Sequence, residues 1–164
     1  MKKRINSKQK GNRGELELAK ILSAKFGMPF ARIGVSSGAR PKQVKLDGSA
    51  KETFTGDLVV PEGFLFSVEA KAVNAQVDLL ERSVLLEKFL RQVSDDAASI
   101  GKMPMLCWKR NRRGWLAFIP KRAFEGYGEL PLPYARRGDW LICKLDALLE
   151  IADRRFWFSD TEDV

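Results

Sequence analysis

The chain has 164 residues, 45% of them hydrophobic, which is enough apolar material for one compact domain and too little length for two ordinary ones. Its 29 Lys and Arg outnumber its 21 Asp and Glu, leaving a net charge of +8; nucleic acid leads the candidate partners, and an anionic membrane surface satisfies the same arithmetic. Histidine is absent, which excludes His-dependent serine and cysteine triads, imidazole metal sites and His-Cys zinc fingers, and leaves catalysis to carboxylates, lysine and a hard metal.

Cys107 and Cys143 lie in apolar runs without a CxxC partner, so neither zinc ligation nor a disulfide framework is indicated, and a reducing cytoplasm is expected. No apolar stretch reaches the ~20 residues of a membrane helix. Met1-Lys2-Lys3-Arg4 runs into polar residues instead of a signal-peptide core, so the expectation is a soluble, unprocessed protein with no membrane partner.

Residues 1–11 carry Lys2, Lys3, Arg4, Lys8 and Lys10 with no acid, and are expected to form a basic arm ahead of a single domain over residues 12–164. Asn12-Arg13-Gly14-Glu15 has the form of an N-cap with a glutamate three positions on, predicting a helix with its stripe at Leu18, Ile21, Leu22 and Phe26 that Gly27 and Pro29 stop. Phe30 to Ser36 alternates as a strand. From Ser37 to Gly56 there is no periodicity, and Arg40, Lys42, Lys45 and Lys51 mark an exposed basic loop. Asp57 to Val60 and Phe64 to Lys71 follow as strands joined by the turn Pro61-Glu62-Gly63. A long helix from Asp78 to Ile100 has its inner stripe at Leu86, Leu90, Val93, Ala97 and Ile100 and ends at Gly101. Pro104–Lys109 and Gly114–Pro120 form a strand pair around Arg110-Asn111-Arg112-Arg113, Trp140–Lys144 adds an edge strand, and Leu145–Arg155 a closing helix. This order describes an α/β fold with a mixed central β-sheet flanked by helices.

Taking Pro61-Glu62-Gly63 as a three-residue loop pairs Val60 with Phe64 and Asp57 with Ser67, so that Asp57, Ser67, Glu69 and Lys71 share one face of a hairpin. A loop one residue shorter or longer would put Asp57 on the other face. Two carboxylates and a lysine converging at a sheet end can hold Mg²⁺ through oxygen ligands and orient an attacking water, as phosphodiester hydrolysis requires. An isolated Glu-x-Lys is ordinarily a surface pair, and its combination with Gly56-Asp57 changes that reading. The stripe Leu18, Leu22 and Phe26 continues backwards onto Glu15, which should face the sheet while Glu17 faces water; the other reading of Glu15 is a capping-box residue serving the N–H of Asn12. Gln92 shares a face with Leu85 and Phe89 and points inward, either to reach the site or as a locally satisfied group. Trp108, Trp115, Trp140 and Trp157 are read as core before base-stacking platforms, and Arg110, Arg112 and Arg113 as a solvated turn before phosphate contacts.

In this order and spacing, Gly11-Asn12-Arg13-Gly14-Glu15, Arg32 with Ser36-Ser37-Gly38, Gly56-Asp57 and Val68-Glu69-Ala70-Lys71 resemble the PD-(D/E)xK nuclease superfamily, and within it the Holliday-junction resolvases of archaeal type and their phage counterparts, over about residues 11–110. The resemblance implies a restriction-endonuclease-like fold in which Asp57, Glu69 and the main-chain carbonyl of Ala70 bind Mg²⁺, with Mn²⁺ as substitute, and Lys71 assists the water. It further implies that Glu15 completes the acidic site, that Arg32 approaches the scissile phosphate, and that Ser36 or Ser37 contacts the backbone near the cleaved bond. The sequence departs from the family pattern in having Thr55-Gly56 where the motif's proline would stand, and a longer insertion between Gly38 and Gly56 than the short archaeal proteins carry.

The expectation is a Mg²⁺-dependent endonuclease resolving four-way junctions in branched double-stranded DNA, with Arg13, Arg40, Lys42 and Lys45 among its phosphate contacts. Two paired cuts imply a homodimer, and a phage-encoded chain would work in the host cytoplasm. The alternatives are a nuclease of the same fold acting on linear or single-stranded DNA, and a basic DNA-binding protein without catalysis.

Overall fold

Residues 7–33, 54–72, 83–110, 113–125, 127–128 and 131–159 are described in this computed structural model. The first helix, α1 (Ser7–Phe26), begins ahead of Asn12, so Ser7 to Gly11 are helical instead of part of an arm, and Asn12 stands inside the helix instead of at its cap. The run Lys8-Gln9-Lys10 consists of good helix formers, and their propensity carries the helix back past the capping signal. Leu18, Ala19 and Leu22 are its buried face. Beyond Gly27, the Ser23 hydroxyl accepts the Phe30 N–H at 2.9 Å and turns the chain into the first strand.

That strand, β1 (Ala31–Arg32), is shorter than expected within the described residues, and Gly34 to Thr53 lie outside them. It joins β2 (Phe54–Thr55) and β3 (Leu58–Val59) in a small antiparallel sheet of order β1-β3-β2, so the end of the expected basic loop is a strand. The main sheet contains β4 (Phe66–Lys71), β5 (Met103–Arg110), β6 (Gly114–Pro120), β7 (Tyr134–Arg137) and β8 (Trp140–Lys144) in the order β4-β5-β6-β8-β7. Strands β4 and β5 run parallel and the other neighbours antiparallel, which makes the sheet mixed, as the element order indicates.

The expected hairpin between Asp57–Val60 and Phe64–Lys71 does not form: β3 pairs with β1 and β2 instead of β4. Phe64 bridges Phe158, and the Leu65 N–H donates to the Trp157 carbonyl at 2.8 Å. The Phe64 ring lies parallel to that of Trp157, 6.2 Å away, and edge-on to Phe30 at 5.1 Å. Burying these rings against one another outweighs a short hairpin ladder, since each buried aromatic side chain contributes roughly 1.5–3 kcal/mol against about 0.5–1.5 kcal/mol net for each ladder hydrogen bond.

Helix α2 (Val84–Ala98) starts after Ser83, whose hydroxyl accepts the Leu86 N–H at 3.3 Å; Asp78 to Arg82, expected to be its opening, fall outside the described residues. Its buried residues Leu86, Leu90, Val93 and Ala97 match four of the five positions of the predicted stripe, the fifth, Ile100, being a half-buried turn residue past the helix end, and three of the four pack on Leu106, Trp108, Leu116 and Phe118 of the sheet. The opposite sheet face is covered by α1, the small sheet, α3 (Leu145–Ile151) and α4 (Arg154–Trp157). The single closing helix expected over Leu145–Arg155 is divided because the Asp153 carboxylate caps a new helix, accepting the Arg155 N–H at 2.9 Å. Strand β8 is interior, not the edge: β7 lies beyond it, joined through Gly138-Asp139, with Gly138 at φ 55°. No helix among the described residues is long and apolar enough to cross a membrane.

Candidate active site

Strand β4 is at the end of its sheet, so its side away from β5 would be an open row of main-chain groups. Gly56 and Asp57 close part of that row. Gly56 has φ 67°, and a Cβ there would lie 2.3 Å from the Val68 carbonyl oxygen, so only glycine lets the chain come this close. The Asp57 N–H donates to the Val68 carbonyl at 3.0 Å, and the Asp57 Oδ2 accepts the Ala70 N–H at 2.8 Å. Asp57 thus reaches Glu69 and Lys71 along the strand edge, not from the face of a hairpin as the sequence arithmetic predicts. The N–H and C=O of one strand residue leave on the same side, so the Ala70 carbonyl shares the edge on which Asp57 sits.

Glu69 is 3% exposed. Its Oε1 accepts the Lys71 ammonium and, at 3.1 Å, the Gln92 side-chain amide. Gln92 comes from α2, where Phe89, one turn earlier, places its ring 5.0 Å beneath the Lys71 nitrogen. Of the two readings of Gln92, the inward one that reaches the acidic pair describes its position.

Burial, and next the charge of Glu69, push the Asp57 carboxyl from an ordinary 3.8 up to about 7; the Ala70 N–H and Lys71 pull the other way, and Glu15 adds to the rise. Glu69 is raised as well, by burial first, with Lys71 opposing. Among the described residues no group of three or more His, Cys, Asp or Glu side chains is placed to hold a metal, so the available donors are two carboxylates and main-chain oxygen. Two crowded carboxylates that resist ionising together, all-oxygen donors and the lack of a soft ligand fit a hard divalent cation such as Mg²⁺.

Helix α1 meets this corner closely because Gly14 has no side chain: a Cβ there would be 2.9 Å from the Ala72 Cβ and 3.5 Å from the Trp115 ring. Glu15, next in sequence, faces the sheet as its helical spacing predicts, and its Oε2 accepts Arg32 Nε at 2.5 Å. Arg32 Nη2 donates to Asn12 Oδ1 at 2.9 Å. The capping-box reading of Glu15 falls away, since Asn12 is interior to α1. Arg32 itself is brought in by the pairing of β1 with β3, in which it stands opposite Leu58 and Ile33 donates to the Asp57 carbonyl at 3.2 Å.

Glu17, expected to face water alone, accepts Lys109 and, at 3.2 Å, the Trp115 indole N–H. Trp108, Trp115 and Trp157 are buried and Trp140 partly so, in line with core roles. Arg13 is exposed on α1. Ser36, Ser37, Arg40, Lys42 and Lys45 lie outside the described residues, as does Arg112 of the basic turn. Both cysteines are buried, and burial pushes the Cys143 thiol up to about 12 and raises Cys107 too, so neither offers a thiolate. Sequence reasoning missed the contacts of Asn12 and Phe89, although each stands one helical turn from a residue it singled out, Glu15 and Gln92.

A family model described as "Phage putative PDDEXK endonuclease" matches residues 6–137. Among solved structures, the chain is similar to that of Archaeoglobus fulgidus Hjc, a Holliday junction resolvase from an archaeal hyperthermophile, at 17% identity and a TM-score of 0.40, over 87% of this chain and 93% of the other. No curated protein matches the chain.

Proposed function

Given that the chain belongs to the phage PDDEXK endonuclease family, and so to the PD-(D/E)xK nucleases, we propose that Asp57, Glu69 and the Ala70 carbonyl hold a Mg²⁺ ion, replaceable by Mn²⁺, and that this nuclease resolves four-way DNA junctions as a homodimer. The observation that carries the site is the Asp57–Ala70 hydrogen bond, which seats one carboxylate beside the other on the edge of β4. A bound divalent ion supplies charge neutralisation and a more acidic water. Gln92 holds the Glu69 carboxylate in one orientation, Lys71 lies against the same oxygen where it can orient the attacking water, and Arg32 faces the phosphate. Glu15 joins the acidic site through its charge and through Arg32.

The junction reading rests on the chain's net charge of +8 and on two basic segments, the N-terminal one up to Arg13 and the one containing Arg40, Lys42 and Lys45, with Ser36 or Ser37 beside the cleaved bond. In a dimer two copies of each would meet several arms of a branch point, as two paired cuts require. The expected place of action is the cytoplasm of a phage host.

A synthetic four-way junction, assayed beside its linear arms with Mg²⁺, Mn²⁺ and Ca²⁺, tests this. Junction cleavage with Mg²⁺ or Mn²⁺ that is lost in Glu69→Gln, and tighter junction binding with a steeper salt dependence, are expected. Equal affinity and equal salt slope on linear DNA would leave a less structure-selective nuclease of the same fold, while wild-type cleavage by Glu69→Gln would end the metal assignment.

A further inference from the structure

Asn12 and Glu15 are one turn apart on α1 and grip the same side of Arg32. Nε donates to Glu15 Oε2 at 2.5 Å and Nη2 to Asn12 Oδ1 at 2.9 Å. These two donors lie along one edge of the planar guanidinium, whose five N–H groups have a fixed fork geometry. Occupying that edge leaves the terminal edge, Nη1 and the second hydrogen of Nη2, without a partner among the described residues. The terminal edge is one that can meet two phosphate oxygens at once.

We propose that Asn12 is a positioning residue: with Glu15 it fixes the plane of the Arg32 guanidinium so that its terminal edge is presented to the DNA phosphate beside Asp57 and Glu69. The proposal deepens the functional reading above and rests on the role given there to Arg32.

Two observations argue against a mere staple between α1 and β1. Helix α1 is seated independently, by the fit of Gly14 against Ala72 and by Glu17 on the Trp115 indole. Strand β1 is likewise held by Ser23 on Phe30 and by its ladder with β3. The Asn12–Arg32 bond is therefore not needed to hold either element, and what it restricts is the rotation of the guanidinium about its own chain.

The test compares Asn12→Ala, Asn12→Asp, Arg32→Ala and the double variant Asn12→Ala/Arg32→Ala in single-turnover and steady-state cleavage, with melting temperature and DNA affinity measured on each. Asn12→Ala should lower kcat about tenfold with KM changed less than about twofold, a misoriented group costing the reaction more than binding. Asn12→Asp, which keeps the acceptor, should recover kcat to within about threefold, and the double variant should be no slower than Arg32→Ala, as coupled residues require. Wild-type kcat in Asn12→Ala beside a slow Arg32→Ala would overturn the positioning role and leave Arg32 in place; so would losses that simply add in the double variant or that follow the melting temperature. Full activity in Arg32→Ala would instead remove the Arg32 role, and the inference with it.

Discussion

Asp57 and Ala70 are joined by a 2.8 Å hydrogen bond from the Ala70 main-chain N–H to the Asp57 Oδ2, although no strand ladder pairs the two residues. With the Asp57 N–H on the Val68 carbonyl at 3.0 Å, the aspartate is attached at two points to the open edge of β4. The attachment removes an unpaired strand donor and holds a carboxylate beside buried Glu69.

Gly56 is what allows the approach. In Gly56→Ala the new Cβ would stand 2.3 Å from the Val68 oxygen at φ 67°, whereas Gly63→Ala, at φ 75°, would meet only the Ser159 hydroxyl at 3.2 Å. Backbone strain alone predicts a loss of ~1–3 kcal/mol for either change, with more for Gly56 from its clash. Urea unfolding should rank Gly56→Ala well below Gly63→Ala, and cleavage should be lost only in the former; equal stability and activity of the two would contradict this account of the edge.

The metal-free protein should lose stability as pH rises through the range from 3.8 to about 7, because Asp57 keeps its proton in the folded state over that range and sheds it when unfolded. Glu69, raised in the same direction, adds to the slope. Asp57→Asn removes the Asp57 part, so in EDTA at neutral pH or above it should be more stable than wild type, and the difference should shrink as the pH falls towards 4. Added Mg²⁺ should then raise the melting temperature of wild type and not of the variant. Identical melting of both proteins at every pH would refute the burial of that charge.

Lys71 and Gln92 share one oxygen of Glu69, and only Lys71 brings a charge to it. Lys71→Ala should slow cleavage by about 10²-fold or more while the protein still folds, whereas Gln92→Leu should cost roughly tenfold. The comparison is read from single-turnover rates at saturating Mg²⁺. An unfolded Lys71→Ala, or one that cuts normally, would contradict the role given to the ammonium.

Gly14 and Gly11 both lie in α1, and they separate helix stability from helix placement. Alanine at Gly11 meets nothing within 4 Å, while at Gly14 it presses on Ala72 at 2.9 Å. Gly11→Ala should gain up to ~1 kcal/mol from helix propensity without loss of activity. Gly14→Ala should give up that gain and lose cleavage, since α1 must withdraw from the corner where Glu15 and Arg32 meet. Unchanged cleavage rates in Gly14→Ala would show that the close seating of α1 is dispensable.

Some of this was legible residue by residue. The lack of histidine removed whole classes of chemistry, and the i, i+2 spacing of Glu69 and Lys71 put both side chains on one face of β4 whatever the strand paired with. The stripe of α2 and the strand pair β5–β6 also follow from local periodicity, because helix and strand repeat distances belong to the chain itself. The Gly138-Asp139 turn carried a signal for β7 that apolar patterning did not reveal, since that strand is mostly polar and lies at the sheet edge.

The tertiary structure decided how Asp57 reaches Glu69. Whether Phe64 pairs with Val60 or with the C-terminal segment depends on Trp157 and Phe158, remote in sequence, and neither the turn residues nor the alternation of β4 contains that competition. The same holds for Asn12, whose capping preference is a local property overridden once Ser7 to Gly11 became helical and Arg32 arrived from another strand. Local spacing sets which face a side chain occupies; which edge remains open to receive Asp57, and which helix grips Arg32, is set by the packing of rings and helices that only the folded chain brings together.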